Sequence, residues 1–405
     1  MIKFSLLWML FIAVLALSGV ACLILTSNTV EIDNTSLNRK IITLNTLTWN
    51  LEAICVQGAW TLTNGSRNIT VAVLDSGINF TQTFLLDSHW NNTAEIANNG
   101  VDDDGNGFID DITGWDFVQG DNNPSPGHWH GTYVANFIHT VAPNATLMNL
   151  RILDDNNAFS GSFWPQIIQA VNYAVDMGAD IIQMSIWNYG VSPSSFQTAL
   201  QNALMENVTI VGITGNTWDD SSTSGVLYPG KFPEVIATSA IGSNLQQSYF
   251  SREGPENELC APGANLPVYD SLIGKGTSFA APHVSGCIAL MKSVNQSLTP
   301  PDVRQILQTT TFDLGAPGKD NQYGYGLVNV SNAVRVAAGE DPWYPSKETS
   351  TTTSIPTTTT INQSVSTSSS SSSTSKPNIT RFSGYIEVFL LVSVGYYIRH
   401  RKINS

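Results

Sequence analysis

Ser278 stands in KGTSFAAPHVSG (275–286), directly behind Gly276 and Thr277 and ahead of an apolar run of small residues. A hydroxyl is a poor nucleophile until a neighbouring base accepts its proton. At a helix N-terminus its own backbone N–H has no intrahelical partner and points outward, where it can form half of an oxyanion hole. Three other residues could complete such chemistry. Asp75 closes VAVLD (71–75), and an acid at the end of a buried strand needs hydrogen-bond donors. His130 opens HGTYVA (130–135) at the start of a helical run, so its ring can project from the end of the element. Asn216 lies in ITGNTW (213–218), just after a buried strand, where its amide can serve as an oxyanion donor. Each has an ordinary alternative: Asp75 with Ser76 as a turn cap, His130 as a polar residue near a turn, Asn216 as a turn residue after Gly215. Together they supply acid, base, oxyanion donor and nucleophile.

The elements that must position these residues are legible as periodicity. Short β-branched runs at 69–74, 147–153, 180–186, 208–214 and 235–241 read as buried strands. Helical spacing appears at 163–178, 194–207 and 300–310. Such alternation predicts an α/β fold: a doubly wound, mainly parallel sheet with helices on both faces, forming a single catalytic domain. Chemistry in such sheets gathers at the carboxyl ends of the strands.

VAVLDSGI, HGTYVA, TGN and GTSFAAPHVSG resemble the signatures of the subtilases nearly residue by residue. The order Asp, His, Ser is also the order of that family. The resemblance spans about Trp49 to Ala338, and YGYGLVNVSNAV (323–334) is similar to the usual close of the domain. It implies a subtilisin-like serine endopeptidase acting through an acyl-enzyme. Ser278 is then the nucleophile, His130 the general base and acid, Asp75 the group that orients the imidazole, and Asn216 with the Ser278 N–H the oxyanion hole. It also implies extended polypeptide substrates, paired as an added strand along Ser185, Ile186 and Trp187 and along about Phe159–Ser162, which contains Gly161, with Gly215 beside them. The family usually has Ser-Leu-Gly where this chain has Ser185-Ile186-Trp187. Trp187 either narrows that pocket or swings outward over Tyr189.

DDDGNGFIDD (102–111) places Asp102, Asp104 and Asn106 at alternate positions before Gly107, with Asp110 following. Alternate oxygen ligands and a glycine turn suit a structural calcium ion. The twelfth-position Glu of an EF-hand is replaced by Thr113, so the expectation is a calcium-stabilised insertion between Asp75 and His130. The alternative is a solvated acidic loop.

The chain has 405 residues and a net charge of −14, which argues against a nucleic-acid partner. Four cysteines, one of them (Cys22) in an apolar run, give no complete disulfide framework or zinc spacing. Residues 1–26 read as a signal peptide or N-terminal anchor. Residues 27–48 are a short linker with no room for a propeptide domain, and 49–338 form the peptidase domain. Residues 339–381 are a Ser/Thr-rich stalk, and 382–405 a transmembrane or processed sorting segment with a basic tail. With sequons running from Asn34 to Asn378, this predicts a monomeric, extracytoplasmic enzyme associated with a membrane through its termini. The rival reading is a surface-displayed binding or adhesive module on an inactive protease fold. An esterase is disfavoured because the G-x-S-x-G elbow is missing around Ser278.

Overall fold

The structure, a computed structural model, describes residues 47–159, 163–188, 193–218, 224–268 and 273–343. Its helices are α1 (Trp49–Ala53), α2 (Val56–Trp60), α3 (His130–Val141), α4 (Phe163–Asp176), α5 (Ser194–Met205), α6 (Thr277–Val294), α7 (Pro300–Thr310) and α8 (Val330–Ala337). Its strands are β1 (Thr70–Asp75), β2 (Gly114–Asp116), β3 (Thr146–Arg151), β4 (Ile181–Met184), β5 (Thr209–Ile213), β6 (Val235–Ile241), β7 (Asn257–Pro262), β8 (Leu266–Pro267) and β9 (Ile273–Gly274).

Seven strands pair in parallel in the order β2-β3-β1-β4-β5-β6-β7, and β8 and β9 form a small antiparallel hairpin. The sheet is buried on both sides because its strands carry apolar residues at consecutive positions. Val71 and Val73 face one core with α3 and α6, whereas Ala72 and Leu74 face a second with α4 and α5. This is the expected doubly wound α/β architecture. The chain runs from β1 to β3 on one side and then crosses to β4 on the other. The winding therefore reverses between β1 and β4, where parallel sheets open a crevice at their carboxyl ends.

The five expected strands and three expected helices lie where the periodicity placed them, within a few residues. β7 and β2 are additional. β7 reads NELCAP, and its buried polar residues have partners: Asn257 Nδ2 donates to Ser239 Oγ and Gln322 O, and Glu258 Oε1 accepts from Gln308 and Arg304. Cys55, Cys260 and Cys287 are buried. Among the described residues no helix is long and apolar enough to cross a membrane. The two apolar terminal segments and the stalk beyond Trp343 lie outside the described residues.

Candidate active site

Each chemical side chain sits at the carboxyl edge of the sheet for a local reason. Asp75 ends β1 opposite Arg151 of β3. The Arg151 guanidinium turns away, to Asp116 at 2.9 Å and Asp155 at 2.6 Å, so it does not compete for Asp75. Asp75 Oδ1 instead accepts from Ser76 N at 2.7 Å and meets His130 Nδ1 at 2.8 Å. A carboxylate oxygen accepts only, so Nδ1 carries the proton and the Nε2 lone pair faces away from Asp75. His130 is the first residue of α3 and is buried. Gly131 lets the helix approach β1 this closely, because a Cβ there would lie 2.4 Å from Gly77 O and 3.1 Å from Asp75 Oδ1.

Ser278 occupies the first turn of α6, whose N-cap, Gly276, has φ +147° and offers no side-chain cap. Thr277 N is taken by Asn216 Oδ1 and Phe279 N by Gly276 O, and the Ser278 N–H has no acceptor among the described residues. Pro282 lacks the N–H that would bond the Ser278 carbonyl four residues back. Ser185 replaces that donor: its Oγ donates to Ser278 O at 2.7 Å. A buried relay supports it, with Ser285 Oγ donating to Gln183 Oε1 and Gln183 Nε2 to Ser185 Oγ at 2.9 Å. Ser278 Oγ leans toward Ser185 O at 3.4 Å, a long contact. Among the described residues no hydrogen bond joins it to His130 Nε2. The two residues share the wall of one groove, and Phe279 packs against the His130 ring at 5.6 Å.

Asn216 follows β5 after Gly215, which has φ +97°, a conformation glycine adopts without strain. Its Oδ1 accepts from Thr277 N and from Thr277 Oγ1, each at 3.0 Å. Pinning the oxygen fixes the amide plane and directs Nδ2 to the opposite side, and Asn216 lines the same groove. The groove encloses about 470 Å³. Ser185, Ile186 and Trp187 form part of its wall, so Trp187 lies in the groove; Tyr189 and Gly161 lie outside the described residues. Phe159, which begins the other expected pairing segment, also lines it, and so do Trp129, Trp218 and Lys275, which were not singled out from the sequence. An imidazole with a fixed tautomer, a hydroxyl, and amide donors around one groove can perform acyl transfer.

The acidic loop folds differently from the expected ligand set. Asp102 turns both oxygens to backbone amides of Gly105, Asn106 and Gly107, and Asp110 turns its own to Asn99 and Gly100. The carboxylates that converge are Glu95, Asp104 and Asp111, with oxygens within 4.8 Å of one another. Asn106 Nδ2 reaches Asp104 and Asp111, and Tyr173 Oη donates to Asp111 at 2.6 Å. Of the four residues expected from the sequence, Asp104 and Asn106 belong to this cluster, and Glu95 and Asp111 were missed.

The subtilase (peptidase S8) family model matches residues 66–326. The chain belongs to the subtilase family. Among its relatives, subtilisin DY of Bacillus licheniformis is 33% identical over 239 residues, covering 55% of this chain and 84% of that protein. The major intracellular serine protease of Bacillus subtilis (strain 168) is 34% identical over 268 residues, covering 64% of this chain and 79% of that one. A solved structure described as a lanthipeptide protease shares the fold, with a TM-score of 0.57 at 24% identity, covering 69% of this chain and 90% of that one. This subtilase is a serine endopeptidase, a hydrolase of the subtilisin type.

Proposed function

We propose that this subtilase is an extracytoplasmic endopeptidase working through Asp75, His130 and Ser278 by way of an acyl-enzyme. Ser278 Oγ attacks the scissile carbonyl carbon while its proton passes to His130 Nε2. The imidazolium, steadied by Asp75, then protonates the departing amine as the C–N bond breaks. Water repeats the sequence on the ester and frees Ser278. Asn216 Nδ2 and the Ser278 N–H receive the negative charge on the carbonyl oxygen. The 3.4 Å contact of Ser278 Oγ with Ser185 O is long enough to be exchanged readily for His130, since catalytic hydrogen bonds tighten on substrate binding. The substrate runs extended along Ser185–Trp187, where Trp187 narrows the pocket for the side chain before the cut.

The observation that carries this reading is the 2.8 Å contact of His130 with Asp75 at the groove that Ser278 and Asn216 also line. The wild-type protein should digest an unfolded polypeptide, and Ser278→Ala should lower kcat by roughly 10⁴-fold or more with an unchanged Tm. Peptide binding without turnover in folded wild-type protein would return the reading to a binding module.

The extracytoplasmic assignment, with the termini as membrane attachment or sorting elements, is supported by the apolar ends, the Ser/Thr stalk and the sequons. Surface biotinylation of intact cells should label the peptidase domain. A structural calcium ion fits Glu95, Asp104 and Asp111, because three carboxylates this close repel one another and the neutral amide donors of Asn92 and Asn106 offset that only in part. When bound, calcium would supply stability to the insertion, not chemistry at Ser278.

A further inference from the structure

One side of the groove carries a cation that the catalytic assignment leaves unused. Lys275 is exposed, stands three residues before Ser278 and lines the groove. Its Nζ lies 5.5 Å from the centre of the Trp218 ring and 3.4 Å from Tyr249 Oη. Trp218 is 46% exposed and also lines the groove. Its ring packs, tilted by 46°, 4.4 Å from that of buried Phe250 and reaches within 3.9 Å of the position a Gly276 Cβ would take. Aromatic groups therefore hold the ammonium at the mouth of the site. Among the described residues no carboxylate pairs with it, in a chain whose net charge is −14.

Asp75 ends β1, and Ser185 and Asn216 follow β4 and β5, its neighbours in the sheet. Trp218 and Lys275 gather about Gly276 beside Asn216: a Cβ at Gly276 would lie 3.9 Å from both Asn216 Oδ1 and the Trp218 ring. With the half of the substrate before the cut along Ser185–Trp187, as the peptidase reading has it, the Lys275 side is open to the departing half.

We propose that Lys275, seated on Trp218 and Tyr249, selects substrates with an Asp or Glu side chain shortly after the scissile bond. The proposal rests on the peptidase reading and on pairing at Ser185–Trp187. An ammonium over an aromatic face keeps its charge while part of its surface is shielded from water, so an incoming carboxylate meets a preformed partner.

Cleavage-site profiling of a peptide library tests this, with fluorophosphonate labelling of each variant as a check on the nucleophile. Wild-type enzyme should cut peptides with an acidic residue in the first two positions after the bond roughly three- to fivefold faster than those with Lys there. Lys275→Gln should bring the two to parity, Lys275→Glu should reverse the order, and Lys275→Arg should keep it. The preference should shrink in about 1 M salt, which a purely steric role would not produce. A labelled wild-type enzyme without this preference, or a preference that survives Lys275→Gln, overturns the proposal and leaves the peptidase reading standing. Wild-type protein that neither takes the label nor cleaves the library removes both.

Discussion

Asn216 and His283 show how single side chains are held ready or held silent. Asn216 spends its Oδ1 on Thr277, which leaves Nδ2 as the end able to meet an oxyanion. Asn216→Ala should lower kcat about 10²–10³-fold with little change in KM, as steady-state kinetics on one peptide would show. Equal losses in binding and turnover would instead point to a collapsed groove. His283 lies inside α6, its Nδ1 donating to Phe279 O at 2.8 Å and its Nε2 accepting from Asn50 Nδ2 at 2.9 Å. Burial pushes its pKa down from 6.5 to about 4. Between those values the unfolded chain binds a proton that the folded chain does not, so stability is full above pH 6.5 and falls as the pH drops toward 4. From pH 7 to 4.5 the loss from this group is about 2–3 kcal/mol. His139, also lowered by burial, acts in the same direction. Urea unfolding at the two pH values should therefore show His283→Gln less stable at pH 7 yet losing about 2–3 kcal/mol less on acidification. An unchanged acid slope would contradict the assignment.

At the scale of elements, the site depends on two helix beginnings and the ends of three strands. α3 approaches β1 so closely that Gly131→Ala would force a methyl group within 2.4 Å of Gly77 O, a backbone atom that cannot step aside. We expect that substitution to cost about 1–3 kcal/mol and to lower kcat at least tenfold by displacing His130 from Asp75. Thermal melts with a peptide assay would check this, and wild-type values in both would show that the helix shifts freely. The strands that deliver Asp75 and Asn216 were legible because burial on both faces makes them continuous apolar runs. α6 was legible through its motif, but the reason for Ser185 was not. That hydroxyl replaces a backbone donor removed by Pro282, 97 positions away in the chain, and no periodicity reports such a pairing. β7 escaped for a related reason, since its buried Asn257 and Glu258 read as loop residues until their distant partners are known.

For the whole molecule, the insertion carrying Glu95, Asp104 and Asp111 ties its acidic cluster to the Tyr173 hydroxyl on α4. Removing bound calcium with a chelator should lower Tm by several degrees, and readdition should restore it; Asp111→Asn should abolish that response. A melting curve indifferent to chelator would leave the cluster as a hydrogen-bonded acidic loop. Alternation along 102–111 pointed to this region but not to its ligands. Asp102 and Asp110 accept only turn amides, and Glu95, which also accepts amides of the loop, comes from outside the run. The proposed nucleophile, base and donor were easier to single out in the sequence than the acidic cluster, because each sits in a distinctive local setting. The most direct test of the catalytic assignment is to treat the folded protein with a fluorophosphonate and map the adduct by peptide mass spectrometry. The account predicts one phosphonylated site, Ser278, lost in His130→Ala; an adduct at another residue, or none on folded wild-type protein, would contradict it.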